Sequence, residues 1–158
     1  MQHRNFNHMK YTSLLVVVTL TTCVNAYTQT SAVPQDQGKA ISEVISQYAT
    51  ARENRDTVLL KTILEAEVGQ LVSTGEWRDG IASAVDGMMK SSAAAPGTRT
   101  LNIQKMRLLN PAAAIVDCKY NIQNQDGSIR GMWSTFLLVA SRGNWKISAI
   151  RNMLPASN

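Results

Sequence analysis

Few side chains in this sequence could do chemistry, and each has more than one use. Glu76-Trp77-Arg78 lies between Gly75 and Gly80, in a stretch that reads as a turn, where chain reversal needs no large aromatic. Glu76 there offers an acid–base group or a partner for a cation, and Trp77 either closes a cavity mouth or covers the edge of the core. Arg151 shares a parity with Trp145, Ile147, Ala149 and Met153 on the last apolar segment. On a regular strand this puts a guanidinium among apolar side chains, where it needs a partner. That partner is the anionic group of a ligand in a pocket, an ion pair with Glu76 or Asp117, or water at the strand end. Asp117 and Lys119 share the polar face of their segment, which matters only if that face lines a cavity or is covered by a second subunit. Trp133, beside Thr135 and Leu137 on one parity, fits a cavity wall, an intersubunit surface or the core. Tyr48, on a helical apolar face, offers its hydroxyl to a pocket or to a core neighbour. Tyr48, Glu76, Trp77, Asp117, Trp133 and Arg151 are therefore the candidate ligand-binding residues, and no residue is assigned a catalytic role.

The two histidines, His3 and His8, and one of the two cysteines, Cys23, fall in the first 23 residues. That segment has the layout of a secretory signal peptide. Arg4 and Lys10 precede the apolar run Ser13–Leu20, and Val24-Asn25-Ala26 supplies small residues for cleavage after Ala26. Met9 is an alternative start. The run is shorter than the ~20 apolar residues that span a bilayer. Cys23 follows Thr22, which is bulky for a lipoprotein site. The expected organisation is a signal peptide over 1–26, a linker over 27–36 and one domain over 37–158, exported to the periplasm or secreted, with no membrane attachment after cleavage.

Beyond residue 26 the chain has no histidine and only Cys118. This excludes an internal disulfide, a Ser-His-Asp triad, a Cys-His pair and zinc sites built on His or paired Cys. Cys118, between Val116 and Tyr120, reads as a small buried hydrophobe. No Gly-rich phosphate loop or EF-hand loop is present, and no metal or cofactor is expected. The whole chain has 16 Lys+Arg against 11 Asp+Glu, a formal charge of +5. Without Arg4 and Lys10 the excess is +3, scattered rather than striped, so nucleic acid is not an expected partner.

The elements that must position these residues follow from periodicity. Ile41, Val44, Ile45 and Tyr48 recur at i, i+3, i+4 and i+7, one face of a helix, and Asp56 is placed to cap a second, shorter one. A short strand over 68–73 and the turn at Gly75 lead to Gly80 and a third helix over about 81–92. Four strands follow. The first changes parity between Ile103 and Met106, which a bulge near Lys105 would absorb. In the second, Ala114, Val116, Cys118, Tyr120 and Ile122 share a face. Asp126-Gly127 signals a hairpin. The third, over 129–139, is apolar on both parities near its end and should be central. Arg142-Gly143-Asn144 turns the chain into the fourth, Trp145 to Met153. The order α-α-β-β-α-β-β-β-β is α+β, with three helices packed on a strongly curved, mainly antiparallel sheet.

With that order, Arg55-Asp56, Ser73-Thr74-Gly75-Glu76-Trp77-Arg78-Asp79-Gly80 and Asn144-Trp145-Lys146-Ile147, residues 38–155 resemble the nuclear transport factor 2-like superfamily, in particular its SnoaL-like (SgcJ/EcaC-type) branch. The resemblance implies a cone-shaped barrel around an apolar cavity, and homodimerisation through the outer sheet face. It covers isomerases, cyclases, dehydratases and binding domains alike, so it does not fix an activity. The expectation is an exported domain that binds a small apolar or anionic organic ligand, with no defined reaction. The alternatives are an isomerase, cyclase or dehydratase, with Glu76 or Asp117 as base and Tyr48 or Arg151 stabilising an oxyanion, and a homodimeric protein-interaction module.

Overall fold

The apolar stripe of the first helix sets the interior. In the computed structural model, which describes residues 32–156, α1 (Gln35–Asn54) buries Ile41, Val44, Ile45, Tyr48 and Ala51. It begins two residues ahead of the expected domain boundary, and the expected signal peptide lies outside the described residues. Arg55, in the left-handed region at φ 55°, stops it. Asp56 then caps α2 (Thr57–Ile63) by accepting a hydrogen bond from the Leu59 N–H at 2.9 Å, as its position predicted. With no intervening loop, the chain passes into β1 (Leu64–Leu71), which starts four residues earlier than expected because Leu64 and Val68 both enter the core. A turn leads to β2 (Trp77–Asp79), and Gly80, at φ 78°, opens α3 (Gly80–Ala94).

The second half is strand after strand: β3 (Gly97–Asn110), β4 (Ala113–Asn124), β5 (Ile129–Ser141) and β6 (Asn144–Met153). Six strands form one sheet in the order β2-β1-β6-β5-β4-β3. All neighbours are antiparallel except β1 and β6, so the sheet is mixed, and β2 and β3 are its free edges. It is therefore a curled sheet rather than a closed barrel. β5 is central, as its two apolar parities required, and β3 carries the expected irregularity between Ile103 and Lys105.

The inward row of β4 is buried throughout: its Ala114, Val116 and Cys118 join Phe136, Leu138, Ile147 and Ile150 against α1 in one apolar core, and Tyr120 and Ile122 form a smaller cluster with Met132. Tyr48 and Phe136 touch edge to face, with ring centroids 5.2 Å apart at 72°. The apolar interior expected of the cone is thus filled by side chains. Cys118 lies in that core, and burial, helped by Asp117, pushes its thiol up to about 12. An unperturbed thiol has a pKa of about 8.5, so at pH 8 Cys118 should alkylate roughly a thousandfold more slowly in the folded chain than in the unfolded one. Peptide mapping after timed iodoacetamide exposure checks this and separates Cys118 from Cys23.

Candidate functional site

A second irregularity decides which way the last strand faces. Between Leu137 and Leu138 the β5 register steps from Ala149 to Ile147, leaving Ser148 as an extra residue. This bulge reverses the parity of everything beyond it. Trp145, Ile147 and Ile150 are buried, whereas Arg151 lies on the outer face with Ala149 and Met153. Arg151 is therefore not enclosed by apolar residues, and it pairs with neither Glu76 nor Asp117. Its Nη1 donates to the Gly69 and Ile150 carbonyls at 2.7 and 2.8 Å, and its guanidinium stacks 4.6 Å from the Trp77 ring centre.

Cross-strand register puts three of the sequence-derived candidates in one outer row: Trp77, Leu71, Arg151, Thr135, Asp117 and Lys105. In it, Thr135 Oγ1 donates to Asp117 Oδ1 at 2.6 Å. Trp133 is in the next row, between Met153 and Lys119, with the Lys119 ammonium 5.8 Å from its ring centre. Trp77 is 55% exposed and Trp133 38%, so neither closes a cavity nor fills the core. Glu76 is apart, on the turn, its carboxylate accepting from Arg78 Nε at 2.8 Å. That hydrogen bond and the Arg78 charge hold its pKa below the usual carboxylate range, the wrong direction for a general base.

The cavity that the inner face forms lies at the open end of the cone, where α1 and α3 end. It has a volume of about 60 Å³, and among its lining residues are four arginines, Arg52, Arg78, Arg99 and Arg130. Its wall also includes Gln70, Tyr120, Ile122, Met132 and Asn152. None of the six sequence-derived candidates is in that wall, which carries four arginines among apolar side chains where an apolar cavity was expected. Tyr48 comes nearest, because its hydroxyl accepts from Arg52 Nη1 at 3.0 Å. Burial pushes the Tyr48 pKa up, with Arg52 opposing, so the phenol is protonated at neutral pH.

Each arginine arrives by a legible route. Arg52 is one turn beyond Tyr48 on the same face of α1 and is 5% exposed. Its Nε and Nη2 donate to Ser92 Oγ and Ser91 Oγ of α3, both at 3.2 Å. Arg99 has the inward parity of Leu101 on β3, is also 5% exposed, and donates to the Gly97 and Ala95 carbonyls at 2.9 and 2.6 Å. Arg78, opposite Gln70 in the β1–β2 pair, is 8% exposed and lies across α3 at Gly87. A Cβ on Gly87 would collide with its Cδ, Nε and Cζ. Gly87→Ala should thus displace Arg78, and the Glu76 pKa should climb back towards the ordinary carboxylate value. The helix-propensity gain of about 1 kcal/mol partly offsets the repacking cost. Carboxyl NMR titration reads the pKa and urea denaturation the stability.

Two polar atoms of residues in this wall, Tyr120 Oη and Arg99 Nε, are buried with no hydrogen-bond partner among the described residues. Such atoms are uncommon, because each costs the desolvation of a group that water had satisfied. Arg130, at the exposed rim, has only a long contact of 3.4 Å to Ser73 Oγ. Among the described residues no group of three or more His, Cys, Asp or Glu is placed to hold a metal, and no helix is long and apolar enough to cross a membrane.

No protein-family model matches the chain, and a search of curated proteins finds no match. Solved structures do match. An NTF2-like protein of unknown function from Shewanella oneidensis superposes with a TM-score of 0.64 at 15% identity, covering 74% of this chain and 98% of its own. A protein of unknown function with a cystatin-like fold from Nostoc punctiforme gives 0.70 at 10% identity, covering 80% and 97%. A proposed dehydratase of the NTF2-like family from Streptomyces avermitilis gives 0.64 at 12% identity, covering 78% and 100%. At these identities the likeness is one of architecture: with three helices packed on a six-stranded mixed sheet that is not closed, the chain has the NTF2-like, cystatin-like α+β fold.

Proposed function

We propose that this chain is an exported domain of the SnoaL-like kind that binds a small organic ligand at the open end of its cone. The observation that carries the reading is the pair of unpartnered buried atoms in the cavity wall, Tyr120 Oη and Arg99 Nε. A ligand that reaches them recovers their desolvation cost, on the order of 1–3 kcal/mol each. Export is supported by the residue order of the first 26 positions alone. An enzymatic reading has less behind it. Neither Glu76 nor Asp117 reaches the cavity, and no carboxylate is among the residues of its wall.

A second observation favours self-association. Trp77, Trp133 and Met153 are 55%, 38% and 48% exposed and belong to the outer sheet face, where solvated aromatics of this size mark an interface. The occupant we propose is a second copy of the chain, facing the first across a two-fold axis.

Native mass spectrometry of protein purified from the exported fraction tests both. The expected result is a dimer mass with added mass that leaves on denaturation. A protein without added mass that also fails to shift its melting temperature with any of a panel of small organic acids would overturn the ligand reading. A monomer at high micromolar concentration would overturn the dimer.

A further inference from the structure

The charge in the cavity wall is only partly matched among the described residues. Arg52, buried, is held only by neutral hydroxyls, and Arg99, equally buried, only by backbone carbonyls. Of the four arginines, Arg78 alone has a carboxylate, that of Glu76. The C-termini of α1 and α3 end here, and each contributes about half a negative charge. Arg52, Arg78 and Arg99 are the buried charges, and with one carboxylate and two helix ends they leave an excess of roughly one, which Arg130, exposed at the rim, raises to about two at the cavity mouth. Buried charge of one sign is costly without a counter-charge, so the wall suits an anion carrying two charges better than one carrying a single charge.

Shape and donor count narrow it further. A guanidinium has five N–H donors. Arg52 uses three on the hydroxyls named above and Arg99 two on carbonyls, which leaves donors free on both, besides the Tyr120 hydroxyl. A planar carboxylate is saturated by one or two such forks, whereas a tetrahedral oxyanion presents three or four oxygens to donors converging from several strands. The volume of about 60 Å³ is room for roughly four to six waters, the scale of a head group. Ile122 and Met132 form an apolar edge where anything attached to that group would lie.

Resting on the reading of this cavity as a ligand site, we propose that it binds a phosphoryl dianion, free phosphate or a phosphomonoester, through Arg52, Arg78, Arg99 and the Tyr120 hydroxyl, with Arg130 at the rim. Tyr120 donates and the phosphoryl oxygens accept, and no bond is broken.

The experiment is calorimetric titration of the full chain, in whatever processed form the cell yields, with inorganic phosphate, methyl phosphate, acetate and succinate at matched ionic strength. Phosphate and methyl phosphate should bind at least tenfold more tightly than either carboxylate. Tighter methyl phosphate would identify a monoester as the ligand, and tighter inorganic phosphate the free ion. Arg130→Ala removes an exposed side chain and should fold normally while weakening binding by about threefold to tenfold, and Arg52→Met should weaken it about tenfold or more. Carboxylates binding as well as phosphate would overturn the phosphoryl assignment while leaving a ligand site. Heat with none of the four, alongside a retained organic molecule in the native mass spectrum, would overturn it in the same way. Phosphate affinity unchanged in both arginine variants would overturn the location.

Discussion

Phe136→Ala should lower the stability of this domain by about 3–5 kcal/mol, the largest loss expected from one side chain here. The ring is fully buried on the central strand β5 and packs edge to face against Tyr48 of α1. Removal leaves a cavity that close-packed neighbours fill only in part, and it forfeits an aromatic contact that adds about 0.5–1.5 kcal/mol to simple burial. Urea denaturation should show a lower midpoint with an unchanged slope, and the melting temperature should fall by roughly 10 °C or more. The consequence extends to the cavity. The Tyr48 ring is held by Phe136, and its hydroxyl accepts from Arg52, so a loosened Tyr48 leaves Arg52 less fixed. Ligand affinity should therefore drop in Phe136→Ala even under conditions where the protein is still folded. Phe136→Leu, which keeps most of the volume, should lose less than half as much stability and retain affinity. Unaltered affinity in a folded Phe136→Ala variant would show that Arg52 is positioned by Ser91 and Ser92 alone.

The architecture was legible because its signals are local and redundant. The α1 stripe, the Asp56 cap, the Asp126-Gly127 turn and the β3 bulge each state their own structure in adjacent residues. The candidate site was less legible for one physical reason. A strand's parity carries information only as far as the next bulge, and Ser148 has nothing in its type to mark it as the extra residue. Read as regular, β6 sends Arg151 inward. With the bulge it sends Arg151 out to Trp77 and brings Ile150 and Asn152 in, Asn152 accepting from Ser134 Oγ at 2.7 Å. Two of the arginines that line the cavity carry a signal in the sequence. Arg52 continues the Ile41-Val44-Ile45-Tyr48 stripe, and Arg99 shares the inward parity of Leu101 and Ile103. Charged residues on two separate apolar faces, with no acid on either, are the pattern that would have found the site. Arg78 had none, because its inward turn depends on the space that Gly87 leaves on the following helix α3.

Trp133→Glu should convert the proposed dimer to a monomer while leaving the fold intact. Trp133 is on the central strand β5, flanked by Met153 and Lys119, and its indole is only partly covered within one chain. Replacing it should cost an isolated domain little, since the position is on the outer face and the Lys119 ammonium beside it can face a carboxylate there. Across a two-fold axis the same change removes a large aromatic anchor from both partners and buries two carboxylates near each other. Central aromatics of this kind account for about 2 kcal/mol or more apiece on truncation, and an unpaired charge at the same place adds to that loss. The dimer dissociation constant should rise at least a thousandfold, read by sedimentation velocity across a dilution series. Val58→Glu is the control. Val58 is 72% exposed on α2, away from the sheet's outer face, and changing it should leave the association state as it was. Equal effects from the two substitutions would mean that exposed apolar area in general drives association, whereas an effect confined to Trp133 assigns it to the outer face of the sheet. That face and the arginine cavity are on opposite sides of the same strands, so Trp133→Glu should also retain phosphate affinity, which separates self-association from ligand binding in a single variant.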